Sequence, residues 1–305
     1  MPFALKILGS NSAAPAHNRH QTAQLLTVGQ HVFLIDCGEG TQMQLTKYKA
    51  KFHKIQHIFI SHLHGDHYLG LMGLISTLHL QNRTADLHIY GPAGLADIIT
   101  LQLKHSETVL NYKIIFKKLN TAVKEIIYED ESLTIETIPL NHRIGCSGFL
   151  FREKPKKRRI IKEKLPSGFS LANIVALKNG EDIYDENGEL LFRNEEMTLP
   201  PKKSRAYAYC SDTKYEEQII QQIAHVDLLY HESTFLSDRE ERAAQTYHST
   251  ARQAATIALK AQVGLLLLGH YSIRYKELQP LLDEAREVFP NAQLAIEGET
   301  IEIPD

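Results

Sequence analysis

The sequence predicts an α/β protein on three observations. Short runs of β-branched, aromatic and other apolar residues recur along the whole chain. Between many of these runs, apolar residues follow the three-to-four-residue spacing of a helix, as in Leu71, Leu74, Ile75 and Leu78. Several strand-like runs end in polar segments that contain histidine or aspartate. With 305 residues, 43% of them hydrophobic, the chain can bury a substantial core in one large domain or two smaller ones.

The individual elements follow from composition and turn signals in chain order. Gly29 and Gln30 predict a hairpin turn, and Ser249 or Thr250 can cap an alanine-rich helix. The predicted strands are Phe3–Leu8, Ala23–Val28, His31–Asp36, Ile58–Ile60, Leu87–Tyr90, Tyr112–Leu119, Val123–Tyr128, Ser132–Leu140, Gly148–Phe151, Arg205–Cys210, Val226–Tyr230, Gly264–Leu268, Leu294–Ile296 and Thr300–Ile303. The predicted helices run through Leu45 and Tyr48, from Leu69 to Leu78, and over Leu95–Leu103, Ala251–Ala261 and Lys276–Val288.

Charge and cysteine content narrow the class of protein. The net charge is −2, so affinity for nucleic acid requires a local basic surface. The chain opens on a strand-like segment and contains no run of eighteen apolar residues, so we expect a cytoplasmic protein with no membrane segment. Cys37, Cys146 and Cys210 are odd in number and lie in strand-like runs, which predicts buried reduced thiols.

One segment carries most of the predicted chemistry. Residues 58–70 read I-F-I-S-H-L-H-G-D-H-Y-L-G, a strand that ends in a polar turn before a helix. His62 and His64 lie two residues apart, so on an extended segment both imidazoles face one ion. Asp66 and His67 begin the helix and can serve a second ion. A single histidine in such a turn is as readily a surface residue, but four ligand-competent side chains favour a metal site.

Further ligand candidates follow other strands. His142, Asp212 and His270 each come directly after a predicted strand, and a carboxylate such as Asp212 can bridge two ions. Asp36 also ends a strand, where it can orient a ligand histidine or simply cap a turn. This nitrogen and oxygen donor set suits two zinc ions, with manganese and iron as alternatives. Together with the basic run at Lys154–Lys164, two such ions favour a phosphodiester substrate.

Composition changes abruptly after residue 151. Lys154–Lys164 holds seven basic residues in eleven, and an acidic, turn-rich stretch follows at Glu181–Glu189. We expect residues 152–201 to form a basic arm inserted into a single domain made of residues 1–151 and 202–305. The alternative is a solvated loop with a charge run. On a metallohydrolase, a basic arm indicates an anionic polymer as substrate.

The motifs resemble those of a known family. H-x-H-x-D-H in this setting resembles the metal signature of the metallo-β-lactamase superfamily, whose fold is a four-layer αββα sandwich. The wider set resembles the short form of ribonuclease Z over nearly the entire chain. In chain order it comprises L-G-S-N-S-A-A-P, D-C-G-E-G-T-Q, S-H-L-H-G-D-H, the inserted arm, S-D-T, H-E-S-T, H-S-T and G-H-Y-S-I-R-Y.

This resemblance implies a homodimeric, zinc-dependent endoribonuclease without an organic cofactor. Such an enzyme removes the 3′ trailer from precursor tRNA after the discriminator nucleotide, leaving a 3′-hydroxyl on the tRNA and a 5′-phosphate on the trailer. The arm is expected to grip the tRNA by its backbone and to serve the partner subunit's active site. Two zinc ions per subunit are implied. The first is held by His62, His64 and His142, the second by Asp66, His67 and His270, and Asp212 bridges them.

The resemblance also implies roles beyond metal binding. Asp66 acts as general base, and His248, held by Glu232, gives a proton to the departing O3′. Ser272 and Arg274 contact a substrate phosphate. The implied arm contacts are Lys154, Lys156, Lys157, Arg158 and Arg159.

Two other functions remain open on the sequence. A thioester hydrolase or arylsulfatase-like enzyme shares the fold but has no need of an arm with seven basic residues. An RNA-binding protein that has lost turnover is a non-enzymatic alternative. It predicts tight, salt-sensitive tRNA binding without cleavage.

Overall fold

Two seven-stranded sheets form the centre of the molecule. The computed structural model describes residues 2–305. The strands are β1 Phe3–Gly9, β2 Ala23–Val28, β3 His31–Ile35, β4 His57–Phe59, β5 Leu87–Gly91, β6 Ile114–Lys118, β7 Ile126–Glu129, β8 Leu133–Leu140, β9 Cys146–Glu153, β10 Arg159–Ile160, β11 Ile183–Tyr184, β12 Leu190–Phe192, β13 Thr198–Leu199, β14 Ala206–Cys210, β15 Leu228–Glu232, β16 Leu265–Gly269, β17 Ala292–Leu294 and β18 Thr300–Glu302. The helices are α1 Thr41–Lys47, α2 Gly65–Tyr68, α3 Leu71–Leu80, α4 Leu95–His105, α5 Leu171–Asn179, α6 Asn194–Met197, α7 Ile220–Ile223, α8 Glu240–Thr246, α9 Ala251–Lys260 and α10 Gln279–Arg286.

Both sheets mix antiparallel and parallel pairing. The first has the order β18-β1-β2-β3-β4-β5-β6 and is parallel from β3 to β6. The second has the order β17-β16-β15-β14-β9-β8-β7 and is parallel from β14 to β17. The carboxyl ends of neighbouring parallel strands meet at one edge of a sheet, so polar residues that follow those strands are gathered there.

Three apolar clusters define four layers. Aromatic rings such as Phe33, Phe59 and Phe149 fill the space between the facing sheets. Helices α1, α3 and α4 cover the outer face of the first sheet, and α9 and α10 cover that of the second. The alanine-rich face of α9 lets it approach the sheet closely, and Thr250 closes a capping box with Gln253 at its start. The fold is therefore the predicted αββα sandwich.

Most of the predicted elements are present with shifted ends. The helix predicted from Lys276 starts only at Gln279, where Pro280 occupies its first turn. The last but one strand is Ala292–Leu294 rather than Leu294–Ile296, because pairing with β16 sets its register. The three cysteines are buried free thiols, as predicted. Within residues 2–305, no helix is long and apolar enough to span a membrane.

The segment between β9 and β14 folds on itself. Strand β10 pairs with β13, β11 pairs with β12, and α5 is capped by the Ser170 hydroxyl. Leu177, Ile183 and Met197 form a small buried core of its own. The segment leaves the second sheet after β9 and returns before β14. It is therefore rooted at the edge opposite to the carboxyl end of β14.

Candidate metal centre

Polar residues from both sheets converge at one edge of the sandwich. His62 and His64 follow β4, His142 follows β8, and His270 follows β16. Asp36 follows β3 and Asp212 lies two residues beyond β14. Asp36, Asp212 and His270 all have φ between 54 and 57°, in the left-handed region that residues with side chains adopt rarely. Such strain concentrates at functional sites, where the surrounding structure holds it in place.

Three histidines form the first group of candidate ligands. The Nδ1 atom of His64 lies 2.9 Å from Nε2 of His62 and 3.1 Å from Nε2 of His142. The Nδ1 atom of His142 donates to the carbonyl oxygen of Tyr247 at 3.0 Å, which leaves its Nε2 as an acceptor facing the group. Arg143 donates to Nε2 of His64 at 3.1 Å. That bond must be given up if Nδ1 binds a cation, since Nε2 then carries the proton.

Asp66, His67 and His270 form the second group. The Nε2 atoms of His67 and His270 are 3.3 Å apart, and each lies 3.5 Å from Oδ2 of Asp66. Asp212 lies between the two groups. Its Oδ2 is 2.8 Å from His67 Nε2 and 3.2 Å from His270 Nε2, while its Oδ1 is 3.9 Å from His142 Nε2. The structure thus brings all seven sequence-predicted ligands together. Four overlapping groups of three side chains could each hold a cation: His62, His64 and His142; Asp66, His67 and His270; His62, His67 and Asp212; and Asp212, His248 and His270.

A buried polar shell orients these side chains. Asp36 is fully buried, and its Oδ2 accepts from His67 Nδ1 at 2.7 Å and from the Tyr209 hydroxyl at 2.5 Å. Ser61 donates to Asp36 through both its backbone N–H and its hydroxyl. From the sequence, Asp36 could either cap a turn or orient a ligand histidine. These contacts favour the second role.

The charge balance of the centre suits cations. Burial by itself would lower the pKa of His67, but the surrounding carboxylates of Asp212, Asp36 and Asp66 raise it well above its usual range. Burial likewise disfavours the charged form of Asp66, yet His67 and His270 hold its pKa low. Several ring nitrogens therefore face one another among ionised carboxylates. The donor set fits divalent cations that prefer imidazole and carboxylate.

His248 and Glu232 form a pair beside the two groups. Both carboxylate oxygens of Glu232 lie 3.1 Å from Nδ1 of His248. Glu232 is fully buried and also accepts from the backbone N–H groups of Thr213 and Ser249. Burial would lower the pKa of His248, but the charge and hydrogen bonds of Glu232, aided by Asp212, raise it to about 9. His248 is therefore held as a cation at neutral pH, which suits a proton donor.

The predicted substrate contacts lie in two other places. Ser272 and Arg274 lie on the loop after His270, where Ser272 is buried and Arg274 is exposed. Lys154 forms an ion pair with Glu129 at 2.6 Å, and Lys156 pairs with Glu153 at 2.8 Å and Asp305 at 2.9 Å.

Three further arm residues take different environments. Lys157 and Arg159 are exposed, and Arg158 is half-buried against Thr198. Because Lys154 and Lys156 have carboxylate partners, Lys157 and Arg159 carry the more accessible positive charge among these five residues.

Several residues that shape the centre were not predicted from the sequence. The backbone N–H of Ala13 donates to Oδ2 of Asp66 at 2.7 Å, from a loop more than fifty residues upstream. Thr234 lies 3.1 Å from Nδ1 of His270 and donates to Glu232 at 2.6 Å. Ala13 lies in the motif S-N-S-A-A-P and Thr234 in the motif H-E-S-T. These motifs were the feature of the sequence that could have indicated a role for the two residues.

Proteins of known family resemble this chain over nearly its full length. The chain is 50% identical to ribonuclease Z of Cytophaga hutchinsonii, over 100% of this chain and 97% of the relative. The chain belongs to the ribonuclease Z family. It is 48% identical to ribonuclease Z of Bacteroides fragilis over 97% of each chain. These full-length matches confirm the predicted family and the prediction of an endoribonuclease.

Solved structures share the fold of this chain, and a family model with a different name matches its first half. Human tRNase Z, short form, superposes with a TM-score of 0.73 at 26% identity, covering 99% of this chain and 100% of the human one. The metallo-β-lactamase fold protein YhfI of Bacillus subtilis shares the fold, with a TM-score of 0.68 at 21% identity over 99% of this chain and 100% of that one. The family model described as anti-Pycsar protein Apyc1 matches residues 3–155. That match ends before Asp212, Glu232 and His248, whereas the ribonuclease Z relatives span them.

Proposed function

We propose that this ribonuclease Z family member is a zinc-dependent endoribonuclease that removes the 3′ trailer from precursor tRNA after the discriminator nucleotide. The observation that carries the proposal is the His248–Glu232 pair set beside two groups of metal-competent side chains. Together they provide a proton donor for a leaving oxygen and a site for phosphate charge. The name and full-length similarity of the relatives supply the tRNA substrate.

Different residues carry out the separate steps of the proposed reaction. The two ligand groups and Asp212 would hold two zinc ions, whose charge would stabilise the phosphate oxygens as negative charge develops there. Asp66 orients the attacking water and takes its proton, and a hydrogen bond from Ala13 fixes the carboxylate. As the new O–P bond forms, the P–O3′ bond breaks and His248 gives its proton to O3′. The products are a 3′-hydroxyl on the tRNA and a 5′-phosphate on the trailer.

Glu232 serves this reaction without touching the substrate. Its carboxylate accepts from His248 Nδ1, so the ring presents Nε2–H outward and keeps one orientation. Its charge keeps the pKa of His248 high, at about 9, so the proton is present at neutral pH. Ser272 and Arg274, on the loop after His270, would bind a neighbouring phosphate of the substrate.

The proposal includes a homodimer in which the arm, residues 152–201, serves the partner's active site. Strands β9 and β14 carry the arm from the sheet edge opposite to the metal centre, about five residues or 17 Å away along β14. Such a dimer would cover exposed apolar side chains on the helical side of the first sheet. Met43 is 71%, Leu69 57% and Leu80 77% exposed. Lys157 and Arg159 on the arm are accessible to a phosphate backbone.

The test compares substrates with and without metal. Purified protein is incubated with a precursor tRNA, a small thioester and a small phosphodiester, each after chelation and again after addition of zinc. The proposal expects zinc-restored cleavage of the precursor at high efficiency. Fast turnover of the thioester with an intact precursor would overturn it, and so would tight tRNA binding by zinc-loaded protein without cleavage.

A further inference from the structure

A buried glutamine contacts the loop whose backbone holds Asp66. Gln21 is only 6% exposed, and its side-chain amide makes two hydrogen bonds. Its Nε2 donates to the carbonyl oxygen of Ala13 at 2.7 Å, and its Oε1 accepts from the backbone N–H of Glu39 at 2.9 Å. The amide keeps this orientation, since turning it over would place donor against donor and acceptor against acceptor. Gln21 therefore connects the loop of Ala13 to the segment that follows β3.

The segment after β3 is itself packed against α2, the helix that carries Asp66. The N–H of Cys37 donates to the carbonyl oxygen of His67 at 2.7 Å. Gly38 has no room for a side chain, because a Cβ there would lie 2.4 Å from the carbonyl oxygen of Asp66 and 2.7 Å from Cβ of Gln21. The backbone of Asp66 and the side chain of Gln21 are therefore fixed against the same segment.

The loop needs such a contact because its backbone is strained at Ala13. This residue has a φ of 56°, and across it the N–H of Ala14 donates to the carbonyl oxygen of Ser12 at 2.6 Å. A three-residue turn with positive φ at its centre is rare and unfavourable for a residue with a side chain. The peptide group before Ala13 donates to Oδ2 of Asp66, and the peptide group after it accepts from Gln21. These two hydrogen bonds together hold φ at its strained value.

The hydrogen bond from Ala13 sets the orientation of the Asp66 carboxylate. It goes to Oδ2 at 2.7 Å, and the same oxygen lies 3.5 Å from Nε2 of both His67 and His270. Oδ1 is then the oxygen that can face the attacking water. Without the hydrogen bond the carboxylate can rotate about its Cβ–Cγ bond. A general base that rotates is in its reactive orientation for only part of the time, which slows the reaction.

We propose that Gln21 is a positioning residue for the cleavage reaction. By holding the carbonyl group of Ala13, it keeps the Ala13 N–H on Asp66 and so keeps the general base in its reactive orientation. The inference rests on the proposed function, in which Asp66 takes the proton of the attacking water. Ser12 has contacts of its own, since its N–H and its hydroxyl donate to the carbonyl oxygen of Tyr271 at 2.9 and 3.0 Å. Loss of the Gln21 amide should therefore release one peptide group and leave the loop folded.

The test replaces two buried glutamines by methionine, which has a similar shape but cannot form the same hydrogen bonds. Gln21→Met removes both bonds of the proposed positioning residue. Gln44→Met is the matched control, because Gln44 is 1% exposed and donates instead to the carbonyl oxygen of Leu8 at 2.7 Å and to Glu297 at 2.8 Å. For each zinc-loaded protein we would measure hydrogen exchange of the Ala13 amide by NMR, the zinc content, and kcat and KM on a precursor tRNA.

For Gln21→Met we expect the Ala13 amide to exchange about tenfold faster and kcat to fall about tenfold, the size expected for loss of one hydrogen bond to a charged group. KM and zinc content should not change, and Gln44→Met should match wild type in all four measurements. Adding Ala13→Gly to Gln21→Met should raise kcat again by about threefold, because glycine adopts positive φ without strain. If Gln21→Met does not fold, Gln21→Asn, whose amide is too short to span both partners, should show the same losses.

Three results would overturn the assignment. They are unchanged exchange or unchanged kcat in Gln21→Met, an equal fall of kcat in Gln44→Met, and no recovery of kcat with Ala13→Gly. If wild-type protein left the precursor uncut, the proposed function itself would fail. Hydrogen exchange would then still report whether Gln21 holds the Ala13 loop, so the two failures are distinguishable.

Discussion

Replacing Glu232 with glutamine should slow RNA cleavage in a way that depends on pH. The change removes the charge that keeps the pKa of His248 at about 9, against an ordinary value of 6.5. At pH 7.5 a group with a pKa of about 9 is roughly 97% protonated, and one at 6.5 is about 9% protonated. Burial pushes His248 in the same downward direction. Single-turnover cleavage at pH 7.5 should therefore fall at least about tenfold.

The same variant should recover in acid. His248 acts in its protonated form, so activity is present below its pKa and is lost as pH rises through it. At pH 6 a group with a pKa of 6.5 is roughly three quarters protonated, which is the upper limit for the buried ring of the variant, so its deficit relative to wild type should be several-fold smaller than at pH 7.5. In a His248→Ala background, Glu232→Gln should change the rate little, because Glu232 acts through that ring. A loss that is the same at pH 6 and 7.5, with unchanged metal content and melting temperature, would refute this reasoning.

Three further predictions test separate parts of the account. Asp66→Ala should lower cleavage by at least about 100-fold while tRNA binding in a filter assay persists, since the carboxylate acts on the attacking water; weakened binding of similar size would contradict this. Replacing Lys157 and Arg159 with alanine should weaken tRNA binding and flatten its salt dependence by about 0.9 per lost phosphate contact, yet spare hydrolysis of a small phosphodiester; equal losses on both substrates would count against an RNA-binding arm. Burial and neighbouring histidines lower the pKa of His57 to about 4. Folding therefore favours the neutral form of this ring. The contribution of His57 to the free energy of unfolding is complete above pH 6.5 and is lost as the pH falls toward 4. Discounted for the partial exposure of the ring, this loss of stability is about 1–2 kcal/mol. In urea unfolding, the His57→Phe variant should lose correspondingly less stability than wild type between about pH 6.5 and 4. An identical loss of stability in both proteins would exclude His57 as its source.

Local patterns predicted most of the elements and the candidate ligands. His62 and His64 were identifiable because the period of an extended segment puts alternate side chains on one side, and the helix after Gly65 follows from apolar spacing. The N-terminal cap at Thr250 was one of two residues that the sequence offered, and its capping box with Gln253 decides between them. These features depend on residues close in the chain, which is why a single sequence contains them.

Contacts between distant segments could not be predicted in this way. The N–H of Ala13 reaches Asp66, and the hydroxyl of Tyr209 reaches Asp36, across 173 positions of sequence. Lys154 was predicted to contact tRNA from the basic arm, but Glu129 at the end of β7 lies 2.6 Å from its ammonium group. The local periodicity of the sequence does not indicate such pairs, since they form only when the two sheets and their loops assemble.

The most direct test of the central claim is to map both ends created when the zinc-loaded protein cuts a precursor tRNA with a 3′ trailer. The account predicts one cut immediately after the discriminator nucleotide, with a 3′-hydroxyl on the tRNA and a 5′-phosphate on the trailer, and none of it when a chelator is present. A 3′-phosphate or cyclic phosphate on the tRNA would contradict it, because proton transfer from His248 to O3′ cannot leave phosphorus on that side.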